Sequence, residues 1–497
     1  MKKLYRFSAI ALLVLPLVFT SCSDYLDRDD DDNITEADVF ARYEKVNGLV
    51  SDVYAAAKKA DRPLVFFEHF SNSAITDECE GTNVEGNITN NFNNGAWNPN
   101  SLPGSVGQYW EALYEGIRKA NLIIENVQKY NTPDNPQQDG DLRNRIGEMY
   151  FMRGYFHMLL LRMYGEAPYI DRVINAGDNM DFKKESVHSM VEKIVTDAQT
   201  AYGMVPNKYV KTSENFGRVD KGACLGLISF VRWVAATPLW NGASQYGYNL
   251  RRVFENEYAY DATRWRKAKE AAKAVLDFEV GGTKRYSLYT KHDANDFKDP
   301  ADGNLNDSRV YARLWDMFYD MDAFANEYVF FMTKSKDQAW QGDIYPPSRE
   351  GSSRQQPVQE QVDEYEYIVG DYGYPVYSAE ARKGGYDDTN PYVKGTRDPR
   401  FYRDVIYHGA PYRNNKNESK TINTASGSDK IGATNATTTG YYLRKFQQES
   451  WNKSGNFSIN APAIWRLPEF IYIYAEACNE LGEDIDTSGS DGHAQPY

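Results

Sequence analysis

The chain is short of the side chains that carry most enzyme chemistry. Six histidines and four cysteines are spread over 497 residues. No H-E-x-x-H, G-x-S-x-G, G-x-G-x-x-G or C-x-x-C spacing occurs. His69, beside Glu68, has no second histidine one helical turn away and reads as a structural residue rather than a metal ligand. Basic runs are missing as well: no Lys/Arg stretch exceeds a pair, and the formal charge of −14 with a pI near 5.1 excludes nucleic acid as a natural partner. Three cysteines remain besides Cys22, an odd number that gives no disulfide framework, and Cys224 and Cys478 fall in helical apolar patterns as buried thiols. Beyond the first twenty residues no apolar run is long enough to span a bilayer.

What is present begins with a leader. Lys2, Lys3 and Arg6 precede an apolar run over 10–19, then Thr20, Ser21 and Cys22. That is a secretory signal ending on a cysteine, and it resembles the lipobox of bacterial lipoproteins, with Phe19 where Leu is usual. Cys22 is the expected lipidation site, carrying acyl chains such as palmitate that hold a domain on a membrane. Residues 22–34, with the run Asp29, Asp30, Asp31 and Asp32, form a solvated acidic tether. They lack the alternating oxygen ligands, turn glycine and closing Glu of a calcium loop. An acidic stretch behind a lipidated cysteine resembles the surface-export signal of Bacteroidetes lipoproteins, so the expected location is the outer membrane, exposed at the cell surface.

From residue 35 a three-and-four apolar rhythm dominates. Val39, Tyr43, Val46, Val50, Val53 and Ala57 lie on one helical face behind a capping-box start at Thr35, with Asp38 in place of Glu or Gln. Further helices are expected over 108–129, 142–164, 186–202, 221–237, 263–278 and 467–481, the third stopping at Gly165 ahead of Pro168. Between them, 83–104 is rich in Asn and Gly, and 287–460 is polar, rich in Gly, Pro and Tyr, with short strand-like runs such as 327–331. The fold class is mainly α: a single domain over 35–497, built as a scaffold of tetratricopeptide-like helical hairpins with long irregular loop excursions and a few short strands.

Specific motifs then carry a family resemblance. Trp110, Tyr114, Ile117, Arg118, Ala120 and Asn121 follow the W-x-x-x-Y-x-x-I-R-x-A-N helix of the SusD/RagB family, the surface glycan-binding lipoproteins of Bacteroidetes. Arg153, Tyr155, Tyr164, Gly165 and Pro168 resemble its R-A-Y to Y-G-x-x-P segment; Gly217, Arg218, Lys221, Gly222 and Ala223 its G-R-x-x-K-G-A helix start; Arg397, Asp398, Pro399 and Arg400 its R-D-P-R loop. Arg466, Leu467, Glu469, Tyr474, Ala475, Glu476, Ala477, Asn479, Glu480 and Gly482 are similar to R-L-A-E-x-x-L-x-Y-A-E-A-x-N-E-x-G. Five weak matches in the family's order make one strong one. After Gly482 the chain runs into a polar tail where the family usually continues with another helix pair, so the C-terminal end looks truncated or divergent.

The resemblance implies a non-catalytic protein that holds oligosaccharide or polysaccharide above a SusC-like TonB-dependent transporter, with no cofactor and no metal. A peptide- or protein-binding scaffold of the same fold is the alternative, and a surface glycosidase using two carboxylates a distant third. The 38 tyrosines and 9 tryptophans supply aromatic faces for sugar stacking. Candidate ligand residues are aromatics in polar loops with nearby hydrogen-bonding groups: Trp97 with Asn98 and Asn100; Trp315 and Tyr319; Trp340 with Tyr345 and Arg349. Each ring could equally be a plug pinning its loop to the scaffold.

Overall fold

The computed structural model describes residues 35–60, 72–82, 88–98, 104–131, 136–209, 214–243, 252–290, 317–318, 320–332, 342–393, 395–413, 419–447 and 463–485. The leader, Cys22 and the acidic tether lie outside them. No helix among the described residues is long and apolar enough to cross a membrane.

Helices α1 (Glu36–Phe40), α2 (Tyr43–Ala60), α3 (Ile88–Asn93), α4 (Gly104–Tyr130), α5 (Pro136–Tyr164), α6 (Val187–Met204), α7 (Lys221–Ala236) and α8 (Ala262–Leu276) make up the first half. Short helices α9 (Met321–Asn326), α10 (Gln359–Asp363), α11 (Ala379–Lys383) and α12 (Pro399–Asp404) follow, and α13 (Leu467–Leu481) closes the series. Long helices pack each on the next: α2 on α4, α4 on α5, and so on through α8, against which α13 returns. This is the helix-rich, tetratricopeptide-like scaffold expected. The expected spans match to within a few residues, except that the helix expected behind Thr35 breaks at Ala41 and Arg42 into α1 and α2, and that α4 starts four residues earlier and α5 six residues earlier than the apolar rhythm alone marks.

The starts of these helices are chemically specified. Thr35 Oγ1 accepts from Asp38 N at 3.2 Å while Thr35 N donates to Asp38 Oδ2 at 2.9 Å, so the capping box works with Asp as the returning group. Ser186 caps α6 through Ser189 N, Asp220 caps α7 through Ala223 N, and Gly482, left-handed at φ 66°, ends α13. The core between them is continuous, from Val46 on α2 through Phe156 on α5, Ile194 on α6 and Leu227 on α7 to Phe470 on α13. Cys224 and Cys478 are free and buried in it, and Cys79 is a third buried thiol. Burying a Phe or Ile side chain stabilises by roughly 1.5–3 kcal/mol, and this stack contains dozens of such side chains.

The two stretches expected to be irregular are more ordered than their composition suggests. Helix α3 lies inside 83–104, and the described residues after 287 include short helices and paired strands. Strands β1 (Cys79–Gly81), β2 (Glu279–Val280), β3 (Thr283–Lys284), β4 (Tyr328–Phe331), β5 (Gln355–Pro357), β6 (Tyr367–Val369), β7 (Tyr372–Tyr374), β8 (Val405–Ile406), β9 (Pro411–Arg413), β10 (Ser419–Thr421), β11 (Tyr442–Leu443) and β12 (Ala463–Arg466) pair antiparallel and two at a time. Three of the six ladders among the described residues join distant segments, β1 to β5, β4 to β12 and β8 to β11. Satellite cores of aromatic residues pin this layer, one of them formed by Val362, Phe401, Tyr402, Val405 and Tyr441. Short strands with few alternating positions leave little periodic signal, which is why composition misled there.

Most motif residues that carried the family resemblance prove to be clamps of the scaffold. Arg153, 7% exposed, donates from Nε and Nη2 to the Asp197 carboxylate at 2.7 and 2.5 Å, and from Nη1 to Asn121 Oδ1 at 2.9 Å. Asn121 Nδ2 in turn holds the carbonyls of Ile170 and Arg172, and Tyr114 Oη that of Pro168. The Y-G-x-x-P turn is thus tied down from two helices. Arg397, 2% exposed, reaches the carbonyls of Val362 and Tyr365. Gly222 is required by close approach: a Cβ there would stand 1.7 Å from Tyr286 Oη.

Candidate substrate-binding cleft

A cleft of about 750 Å³ opens where the helical stack meets the loop-rich layer. Its walls come from eight places in the chain: Glu78 and Cys79 at β1, Trp233 on α7, Phe318 ahead of α9, Gln355 and Pro357 on β5, Gln361 and Tyr365 at α10, Arg403 and Asp404 ending α12, Lys445 and Phe446 after β11, and Arg466, Glu469, Tyr472 and Glu476 from β12 into α13. A volume of this size is typical of small-molecule sites.

The floor is a charged and aromatic network. Arg403 donates Nη2 to Asp404 Oδ2 at 2.7 Å with Nε on the other oxygen, and Tyr365 Oη donates to Asp404 Oδ2 at 3.0 Å. Burial acts to raise the Asp404 carboxyl, but the Arg403 and Lys445 charges outweigh it and hold the group below the ordinary carboxylate range. Phe318 lies between two guanidinium groups, 5.2 Å from Arg403 and 5.7 Å from Arg466. Arg466 also faces Glu327 at 3.4 Å. Lys445 is pushed down by burial, partly opposed by Asp404.

The α13 wall is different. Pro468 in the first turn and Arg466 at the cap set its entry, and the helix then presents Glu469, Tyr472 and Glu476 at three-and-four spacing along the cleft. Burial lifts the Glu469 carboxyl to about 7, against the pull of Arg162 and Arg466. At neutral pH it is both a hydrogen-bond donor and an acceptor. Tyr472 is 57% exposed, and Trp233 Nε1 donates to Glu476 Oε2 at 2.7 Å, fixing the indole beside it. Rings that expose a face, alternating with groups that give and take hydrogen bonds, suit a ligand with apolar faces and hydroxyl edges.

The residues singled out from sequence fare unevenly. Trp97 is half-buried, edge-on to Phe92 with centroids 4.7 Å apart, and Asn98 beside it is exposed. Both follow α3, which packs on the segment leading into β1 through Asn93 Nδ2 on the Ala74 carbonyl. Tyr345 does not stand in a polar loop offering a face. It is 2% exposed, in a satellite core with Ile344, Ile406, Ala410, Ile422 and Tyr442, beneath the wall that Leu443 and Phe446 give the cleft. Arg349, 9% exposed, ends a short 3-10 turn and donates to Ser348. These two are packing residues because the loop that holds them folds onto β8 and β11 rather than out into solvent. Asn100, Trp315, Tyr319 and Trp340 lie outside the described residues.

Sequence reasoning missed Tyr365, Arg403, Lys445, Glu469 and Tyr472 as cleft residues. One signal was available: Ile471 and Tyr472 put large apolar groups on the outward face of α13, against its own amphipathic pattern, and exposed aromatics on a helix mark contact surfaces.

Known proteins share this architecture. Residues 24–231 match a family profile described as SusD-like, starch-binding and associating with the outer membrane, and residues 320–488 match the profile of the SusD family. The chain is 24% identical over 202 residues to SusD-like protein P2 of Formosa agariphila; the match spans 40% of this chain and 38% of the length of that curated relative. Among solved structures, a SusD-like protein of Bacteroides fragilis superposes with a TM-score of 0.66 at 18% identity, over 91% of this chain and 78% of the other. A SusD-like carbohydrate-binding protein of the same species gives 0.65 at 14% identity, over 90% and 76%. A laminarin-binding SusD-like protein gives 0.50 at 16% identity, over 87% and 80%. At these identities the structures share the fold.

Proposed function

This chain belongs to the SusD/RagB family of carbohydrate-binding proteins, and from that premise we propose that it binds oligosaccharide or polysaccharide at the cell surface and passes it, uncleaved, to a SusC-like TonB-dependent transporter. The observation that carries the reading is the cleft: exposed and half-exposed rings of Tyr472, Trp233 and Tyr365 alternate with Glu469, Lys445 and Arg403 in one groove open to solvent. Two of its carboxylates are already engaged in the wall, which supports retention of a ligand there. Asp404 is held by Arg403 and Tyr365, and Glu476 by Trp233, so each already serves a neighbour in the wall. Cys22 anchors the domain to the outer membrane through its acyl chains in this reading, and the acidic tether sets it off from the lipid.

The test is calorimetric binding against soluble polysaccharides, among them laminarin and starch, with reducing ends assayed in parallel. Binding without release of reducing ends is the expected result, and Tyr472→Ala lowers the affinity by roughly 1–2 kcal/mol, the scale of one stacked aromatic face. Release of reducing ends, or no binding to any polysaccharide, overturns the reading. Crosslinking in membranes should also recover a TonB-dependent transporter; recovery of none overturns the partner assignment alone.

A further inference from the structure

Helix α10 has a second side. Gln361 faces the cleft, and Asp363, two residues on and so about 200° around the helix, faces away from it. There Asp363 Oδ2 accepts from Tyr377 Oη at 3.0 Å, while its Oδ1 accepts from Gln359 Nε2 at 2.8 Å. Tyr377 is 56% exposed although its hydroxyl is tied, and Tyr386 meets its ring at 90° with centroids 6.1 Å apart. Tyr386 is itself edge-on to Tyr367 at 5.5 Å and buried. A chain of rings and one carboxylate therefore fixes an exposed aromatic face before any ligand arrives.

The adjacent hairpin adds a second ring. The register of β6 and β7, Tyr367 with Tyr374 and Val369 with Tyr372, puts Tyr372 on the same face as Tyr374 and Tyr367, and at the hairpin tip Tyr372 is 69% exposed. Across the corner Arg382 Nη1 bonds Asp388 Oδ2 at 3.1 Å on the surface. Exposed rings with a guanidinium and carboxylates at their border match a pyranose: the ring face takes the C–H side of the sugar and the charged rim its hydroxyls.

We propose that this tyrosine corner is a second carbohydrate platform, on which Tyr377 and Tyr372 stack a sugar unit of the same polymer whose neighbouring units lie in the cleft. It rests on the carbohydrate-binding reading above and deepens it: α10 stands between the two surfaces, so the ligand is a polysaccharide that crosses it, and a short oligosaccharide fills only the cleft. Two linked contacts on one chain multiply apparent affinity without any new cleft interaction.

The experiment compares the native chain with Tyr372→Ala/Tyr377→Ala, using laminarin with laminaritriose, amylose with maltotriose and xylan with xylotriose, each polymer beside its own trisaccharide. For the polymer that the native chain binds, the double variant is expected to lose about tenfold or more in apparent affinity, with the trisaccharide affinity and melting temperature unchanged. Tyr377→Phe, which keeps the ring, should retain most of the polymer affinity. Polymer affinity equal to native in the double variant overturns the platform while leaving the cleft and the carbohydrate reading in place. Failure of the native chain to bind any of the three pairs overturns the two together, and a loss of trisaccharide binding equal to that of polymer shows a single shared site and overturns the proposal as well.

Discussion

Glu469 sets up a pH dependence that can be measured without knowing the ligand. An ordinary glutamate ionises near 4.5, and burial in the α13 wall lifts this one to about 7. Between those two pH values the folded protein holds a proton that the unfolded chain has released, so unfolding gives up a proton and stability falls as pH rises. The contribution is fully favourable below about 4.5, is lost progressively on the way to 7, and is flat above. Taken at face value the displacement corresponds to on the order of 3 kcal/mol. Glu469 is half-buried at an open cleft, and screening brings the expected figure down to roughly 1–2 kcal/mol. Glu469→Gln keeps the shape and removes the titration. The variant should match the native protein in urea unfolding at pH 4.5 and exceed it by roughly 1–2 kcal/mol at pH 8. Parallel stability curves across that range would refute the argument, as would a side-chain carboxyl that NMR shows titrating near 4.5.

Gly222→Ala drives a methyl into Tyr286 Oη and should lower stability by about 1–3 kcal/mol in urea unfolding, with Gly222→Ala/Tyr286→Phe recovering part of the loss because the clashing oxygen is gone. Arg397→Ala leaves the Val362 and Tyr365 carbonyls without their donor, and a drop of roughly 2–4 kcal/mol should appear as an earlier thermal transition. Cys22→Ala should yield a folded protein that leaves the membrane fraction, and labelled palmitate incorporated into that variant would remove the lipidation assignment. Trp97→Ala should cost several degrees of melting temperature if its contact with Phe92 pins the loop, but affinity for the polysaccharide bound by the native chain if the half-exposed face stacks a sugar; measuring both decides.

The helical half of the molecule was legible because its elements are long enough for periodicity to show. Val46, Val50, Val53 and Ala57 on one stripe, and the Thr35 capping box ahead of it, mark a buried helical face from sequence alone, and all four side chains are fully buried. The limits of reading show at α4 and α5, whose first turns hold few apolar residues and so extend beyond the stripe. In the second half, several strands of two to four residues pair with partners tens or hundreds of positions away, as Pro357 does with Cys79, and nothing local encodes that. Tyr345 shows the consequence. The stretch around it holds Gln341, Asp343, Ser348 and Arg349, but its neighbours in space, Ile406, Ile422 and Tyr442, come from segments sixty to a hundred residues on.

The same contrast explains why the motifs found the family but only one edge of the site, the Arg466, Glu469 and Glu476 of the last motif. Arg153, Asn121 and Tyr114 recur at fixed spacing because three elements must be tied to one turn, and a buried guanidinium with its donors directed at Asp197 and Asn121 tolerates little substitution. Such residues are informative about fold for the reason that makes them silent about ligand: their hydrogen bonds are spent inside the protein. The cleft is assembled by contrast from side chains on many separate segments, and the exposed ones, such as Tyr472 on α13, are those the scaffold would accept in another form at little cost in stability. A helical frame that fixes where the loops emerge, and leaves what they carry free, can therefore present different aromatic surfaces to different sugars while its motifs stay the same. On that argument the exposed rings, Tyr472 in the cleft and Tyr377 and Tyr372 across α10, are where this chain's own selectivity resides. Exchanging them should change which polysaccharide binds before it changes whether the protein folds, and a loss of folding on exchanging any of the three would show that they belong to the frame.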